Sequence, residues 1–252
     1  MSDVLPRHVL CVLGSGLELS EIERVAGADR FTLDWEYSQT EPDPQMPQAF
    51  QACTMNAVSF DEKDQLAVES HDTVGYLLSP PIPREQALVI SRDLLVAAGD
   101  LLRSGATAIK NESSGIAHGR TRWLALADRA ATTDDPEGLA GALVEAWVQR
   151  PIADDGVLYT CGMHLLGAPD VEIEASAQDR AGGEVSDMAG LLDVLAFYLL
   201  TDPRAKEVED GSGFRMTEDS PRWVLRTGAC ERYESDDFFF NPYGYVRLTS
   251  PE

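Results

Sequence analysis

The 252-residue chain lacks any run of about 18 apolar residues, the length a bilayer-spanning helix needs, so no membrane association is expected. Its opening, MSDVLPRH, has neither a basic start nor an apolar stretch. No secretory signal is read there, and a cytoplasmic protein is expected. The four cysteines, Cys11, Cys53, Cys161 and Cys230, lie far apart and form no CxxC pair. Without an export signal they are expected to be free thiols. Positive charge is scarce too: lysine is confined to Lys63, Lys110 and Lys206.

What the chain has instead is acid. Aspartate and glutamate total 43 against 20 lysines and arginines, a net charge of −23. Such a surface repels nucleic-acid phosphates and anionic lipid heads, and it speeds encounter with basic proteins. Solubility or adaptation to a saline environment explains the same number without a partner. Hydrophobic residues at 44% and charged ones at 25% are ordinary for a globular chain long enough to bury a proper core.

Periodicity alternates between strand and helix. HVLCVLGSG (8–16) reads as a buried strand and a tight turn, and SEIERV as a short helix with Ser20 and Glu23 spaced as a capping box. FTLDWEYS reads as a half-buried strand, QTEPDPQMPQ as loop, and ACTMNAVSF and TVGYLLS as two further strands. A helix over 84–103 ends at Gly105; ATAIKNES follows as a strand, and a helix starts near Thr121. Asp135 and Pro136 open another helix. RPIADDG interrupts the apolar pattern, so an N-terminal lobe over 1–150 and a C-terminal lobe over 151–252 are expected. In the second half VLYTCGMHLLG, DVEIEA, GFRMT, RWVLRTGA and YGYVRLT read as strands, and GEVSDMAGLLDVLAFYLL as a helix stopped by Pro203. LLSPPIP and LLGAPDV form a faint repeat. The expectation is an α+β fold of two similar packed lobes, with mixed or antiparallel sheets covered by amphipathic helices.

No spacing completes a catalytic signature. Gly14 and Gly16 lack the third glycine of a dinucleotide fingerprint, and Glu18, Glu21 and Glu23 crowd the helix start where a pyrophosphate would sit. Cys161 and His164, placed on a strand, would point to opposite faces and could not share a metal. No cofactor and no metal are expected. Two segments remain. In IKNESSGIAHGRTRW (109–123), Lys110 and Glu112 share a strand face, and Glu112, His118 and Arg120 could gather in a pocket if the loop folds back. In ERYESDDFFFNPYGY (231–245), Asp236, Asp237, Phe239 and Tyr243 suit a protein interface, against the alternative of a loop with Phe238 to Phe240 tucked into the core.

The helix running into GATAIKNESSGIAH, with YTCGMHLLGAPDVEIEA and a helix ending in AFYLLTDPR, resembles an uncharacterised bacterial domain-of-unknown-function family, over about residues 70–250. Families of this kind include proteins linked to immunity against secreted toxins. The resemblance carries no functional residues. It implies a non-enzymatic acidic binding protein that neutralises a basic toxin. The alternative is an enzyme or small-molecule binder using residues 110–123.

Overall fold

The structure, a computed structural model, describes residues 4–27, 29–54, 60–174 and 185–249. It is an α+β fold built on two sheets. Sheet A has the order β2-β3-β1-β4-β5, from Thr32–Leu33, Thr73–Leu78, Val9–Gly14, Ala106–Asn111 and Ile116–Ala117, all antiparallel. Sheet B has the order β6-β7-β8-β11-β10-β9, from Gln149–Asp154, Val157–Cys161, Asp170–Glu174, Tyr245–Thr249, Trp223–Gly228 and Gly213–Phe214. Its one parallel pair joins β8 to β11.

Strand β1 is buried along its whole length, which explains its unbroken apolar run. Leu10 and Val12 face the main core, whereas Cys11 and Leu13 face a smaller cluster with Met46, Phe50 and Val68. Helices α1 (Leu19–Ala26), α4 (Ala87–Arg103) and α5 (Arg120–Thr132) lie toward the main core. Helices α2 (Met46–Thr54) and α3 (Glu62–Glu69) cover the opposite face. Helix α6 (Pro136–Trp147) links the sheets, and α7 (Val185–Thr201) lays Leu191, Leu192 and Leu195 against Leu158, Val171 and Ile173 of sheet B. One continuous apolar cluster thus reaches from sheet A to sheet B.

Local chemistry overrode the sequence pattern in four places. FTLDWEYS keeps only two strand residues: the Asp34 carboxylate accepts from the Glu36 and Tyr37 N–H groups and turns the chain. Trp35 and Tyr37 are therefore exposed, at 55% and 69%. Ala52 to Thr54 end α2 rather than start a strand, and that helix begins inside the expected loop with Pro47 in its first turn; residues 55–59 of the expected strand lie outside the described residues. Ser20 sits inside α1, whose N-cap is Glu18 without a side-chain cap. The reciprocal capping box is at Asp61 and Asp64, before α3. Finally, Arg150 to Asp154 form strand β6, and Asp155 and Gly156 make its hairpin turn.

Gly162 closes β7 with φ +117°, and a Cβ there would collide with the Trp147 carbonyl oxygen. Neither the conformation nor the space admits a side chain. Gly162→Ala is expected to cost about 3 kcal/mol or more in urea unfolding. A change within error of zero would contradict this packing.

Candidate functional site

The segment 109–123 enters a buried hydrogen-bond chain. Asn111 Nδ2 donates to His8 Nδ1 (2.9 Å), His8 Nε2 lies 2.9 Å from Ser91 Oγ, and Ser91 Oγ donates to the Leu165 carbonyl (2.8 Å). Because Ser91 spends its one proton on Leu165, the chain assigns the His8 proton to Nε2 and keeps the ring neutral. Asn111 Oδ1 accepts from the Ser113 N–H, and Ser113 Oγ donates to the Arg7 carbonyl while accepting from the Val9 N–H. These polar residues tie β1 to α4 and to the short 3-10 turn Met163–Leu166.

The expected site residues of this segment have separate partners. Lys110 and Glu112 do pair, at 2.6 Å, with Lys110 only 5% exposed. His118 stacks edge-on to Trp123 and reaches the Ala146 carbonyl. Arg120 gives its backbone N–H to Asp64 and its guanidinium to the Leu102 carbonyl, at the C-terminal end of α4. Among the described residues no hydrogen bond or ion pair joins Glu112, His118 and Arg120 to one another. Cys161 and His164 do not share a strand. Gly162 ends the strand, and His164 lies in the 3-10 turn, 1% exposed. Its ring nitrogens approach the Ser113 and Phe238 backbone carbonyls without reaching good hydrogen-bond geometry, and Ser114 Oγ has no partner. Among the described residues no cluster of three or more metal-ligating side chains occurs.

The second segment forms the candidate site. Side chains alternate across a strand. On sheet B the core face carries Leu158, Val171, Val246 and Leu248, so Tyr159, Glu172, Tyr245 and Arg247 face outward. Register sets Tyr159 opposite Glu172, Glu172 beside Arg247, and Asp170 beside Tyr245. The connection 229–244 then folds back over this polar face. Asn241, 2% exposed, anchors it by donating to the Ala168 carbonyl and to Asp170 Oδ2. Gly244, at φ +74°, packs where a Cβ would strike the Gly228 carbonyl. Between sheet and connection lies a cavity of about 250 Å³, walled by Tyr159, Asp170, Glu172, Arg232, Tyr233 and Arg247, among others.

The cavity's charges are largely spoken for. Glu172 pairs with both Arg247 (2.6 Å) and Arg232 (3.3 Å); Arg247 also meets Glu174, and Arg232 also meets Asp154. The Arg232 guanidinium lies 4.0 Å above the Tyr159 ring, whose hydroxyl is 3.2 Å from that of Tyr233. Burial pushes the Asp170 carboxyl up to about 7, even though Asn241, the Met163 N–H and Thr160 donate to it.

Of the four residues expected here, none lines the cavity wall. Asp236 and Asp237 are exposed, and Asp237 accepts from the Phe239 N–H. Phe239 is half-buried against Tyr233 and Gly115, which brings the two expected segments into contact. Tyr243 receives the Arg84 guanidinium on its ring. Phe238 is 60% exposed and is not tucked into the core. Asp170 and Glu172 escaped sequence reading, although their i, i+2 spacing in DVEIEA was a visible signal. Arg232 and Asn241 had none, because only the return of the connection gives them neighbours.

Comparison with known protein families, with curated proteins and with solved structures returns no match.

Two outcomes are expected. Glu112→Ala strands the buried Lys110 ammonium and should cost about 3 kcal/mol, most of it recovered when Lys110→Met is added. Urea unfolding checks both variants, and no loss in the single variant would show the pair to be dispensable. The second concerns acid. Burial holds His8 down to about 3 and His118 and His164 to about 4. In the unfolded chain they protonate near pH 6.5. The unfolded state therefore binds more protons below that, and stability present above about pH 6.5 is lost as pH falls toward 4. Asp170, with its raised carboxyl, acts oppositely between about pH 4 and 7. Three histidines outweigh one carboxyl, so unfolding free energy should fall on acidification, by up to about 1.4 kcal/mol per pH unit for each histidine. A flat urea midpoint between about pH 7 and 5 would contradict buried neutral histidines.

Proposed function

We propose that this protein is a non-enzymatic binding protein that docks a cationic protein on the acidic connection 229–244, in the manner of an immunity protein holding a basic toxin. The observation that carries the reading is Phe238, 60% exposed at a tip flanked by exposed Glu234, Asp236 and Asp237. A rigid aromatic ringed by like charge has the anatomy of an interface anchor with a steering field around it. The tip is held from below by Asn241, by the Asp237 turn and by Phe239 against Gly115. Little ordering entropy then remains to be lost on docking.

Net charge supports the same partner. Many arginines are already committed to carboxylates, as Arg103, Arg129, Arg150 and Arg204 are, so the surplus acid of the chain is left facing solvent. Among the described residues no helix is long and apolar enough to cross a membrane. The other acidic groups are weaker candidates: Asp34 is occupied by its own turn, and Asp154 pairs with Arg232.

The test is capture by the immobilised protein, followed by kinetics with the captured partner. Glu234→Lys with Asp236→Lys, which leaves the Asp237 turn in place, should slow association about ten-fold at low salt while the fold survives. Phe238→Ala should instead speed dissociation. The wild-type on-rate should fall steeply between about 0.1 M and about 1 M salt, as screening shortens the field. A partner that is not basic, or an on-rate indifferent to salt and to both variants, would overturn the reading.

A further inference from the structure

The cavity beneath the connection has a composition that selects its occupant. Two arginines on its wall suggest an anion site at first sight, but charge decides otherwise. Arg232 and Arg247 are met by Asp154, Glu172 and Glu174, and Glu231 adds a fourth carboxylate; Asp170, already held by Thr160, Met163 and Asn241, is left out of this balance because burial favours its neutral form. Carboxylates outnumber guanidiniums, so an arriving anion would meet net negative charge and donors already engaged. Glu231 forms no ion pair among the described residues, and the Tyr159 and Tyr233 hydroxyls bond chiefly to each other. With the ring faces of Tyr159 and Tyr245 already taken by Arg232 and Arg247, the open capacity is the Glu231 carboxylate and the remaining lone pairs of the two phenol oxygens, which accept from a cationic donor.

The surroundings repeat one pattern of cation handling. Arg232 lies over Tyr159 at 4.0 Å, Arg247 over Tyr245 at 5.3 Å, and Arg84 over Tyr243 at 5.0 Å. In the first two, a carboxylate of Glu172 closes the contact. A planar guanidinium stacks on an aromatic face and forks onto carboxylate in a way a compact ammonium cannot. The volume of about 250 Å³ lies below the roughly 300–1,000 Å³ of pockets that enclose drug-sized ligands. It suits a side chain rather than a nucleotide or an organic cofactor.

We propose that the cavity between sheet B and the connection 229–244 is a guanidinium site that receives an arginine side chain of the cationic partner, gripped by Glu231 and the Tyr159–Tyr233 pair. This rests on the docking reading above, because the cavity opens beneath the same connection. Phe238 would supply the apolar anchor and the cavity the charged one.

The experiment uses the intact protein alone. Backbone amide spectra are followed while Nα-acetyl-arginine amide is added, with the lysine and glutamate counterparts as controls. Saturable shifts are expected at Thr160, Glu172 and Cys230 to Tyr233, with half-saturation at about 1–10 mM. The lysine probe should bind several-fold more weakly, and the glutamate probe should leave these amides unmoved. Glu231→Gln, at an exposed position that leaves the fold intact, should weaken the arginine probe about three-fold. Shifts absent to about 50 mM, or equal for all three probes, would overturn the site. Basic-partner capture that persists without an arginine response would overturn the cavity assignment alone. An arginine response in a protein that captures no basic partner would support the site and overturn the docking reading instead.

Discussion

The packing of Trp147 is the contact on which the rest of this structure depends. Its indole N–H donates to the Ser91 carbonyl of α4, its ring meets Trp123 of α5 at 5.2 Å and His8 at the mouth of β1 at 4.7 Å, and its own carbonyl leaves room only for glycine at position 162. One residue thus touches α4, α5, the residue that precedes β1 and the residue that follows β7. Around it the neutral His8 passes a hydrogen-bond chain from Asn111 to Leu165. A buried polar chain of this kind is costly unless every member is satisfied, and it then specifies one arrangement of the elements that supply it. The segment that looks most like an active site in sequence serves as that bracket.

Helices and strands with strong periodicity were legible in the sequence. The amphipathic spacing of α4, the Asp135–Pro136 start of α6 and the buried run of β1 each reflect burial, which leaves its mark residue by residue. The misread elements are those where a single side chain decides. Asp34 bends a stretch whose alternation suits a strand, and Asp61, absent from any apolar pattern, starts α3. At the site, the acidic aromatic segment was visible, and so was the Lys110–Glu112 pair. The cavity was not, because it exists only once β8 and β11 lie side by side and the connection returns over them. Tertiary proximity of Asp170, Arg232 and Arg247 has no signature in spacing.

Acidity acts at two ranges in this molecule. Far from the surface, the net charge of −23 is a field with no address. Close in, the connection 229–244 gives the field a place, with exposed carboxylates around Phe238 and paired ones beneath. The paired carboxylates hold Arg232 and Arg247 in place along the cavity wall. Thr160, Met163 and Asn241 converge on Asp170 for the same end.

The position of β11 has a consequence for how the chain is made. It lies inside sheet B, between β8 and β10, and among the described residues it is the only strand that joins β6-β7-β8 to β10-β9. A ribosome delivers these two pieces first, and each carries an unpaired edge until residue 249 has emerged. Sheet A, complete by residue 117, has no such delay. During synthesis the first sheet can settle while the second waits with open backbone, the condition under which a nascent chain pairs with its neighbours. The carboxylates of the second half oppose such pairing, because like charges on two waiting edges repel.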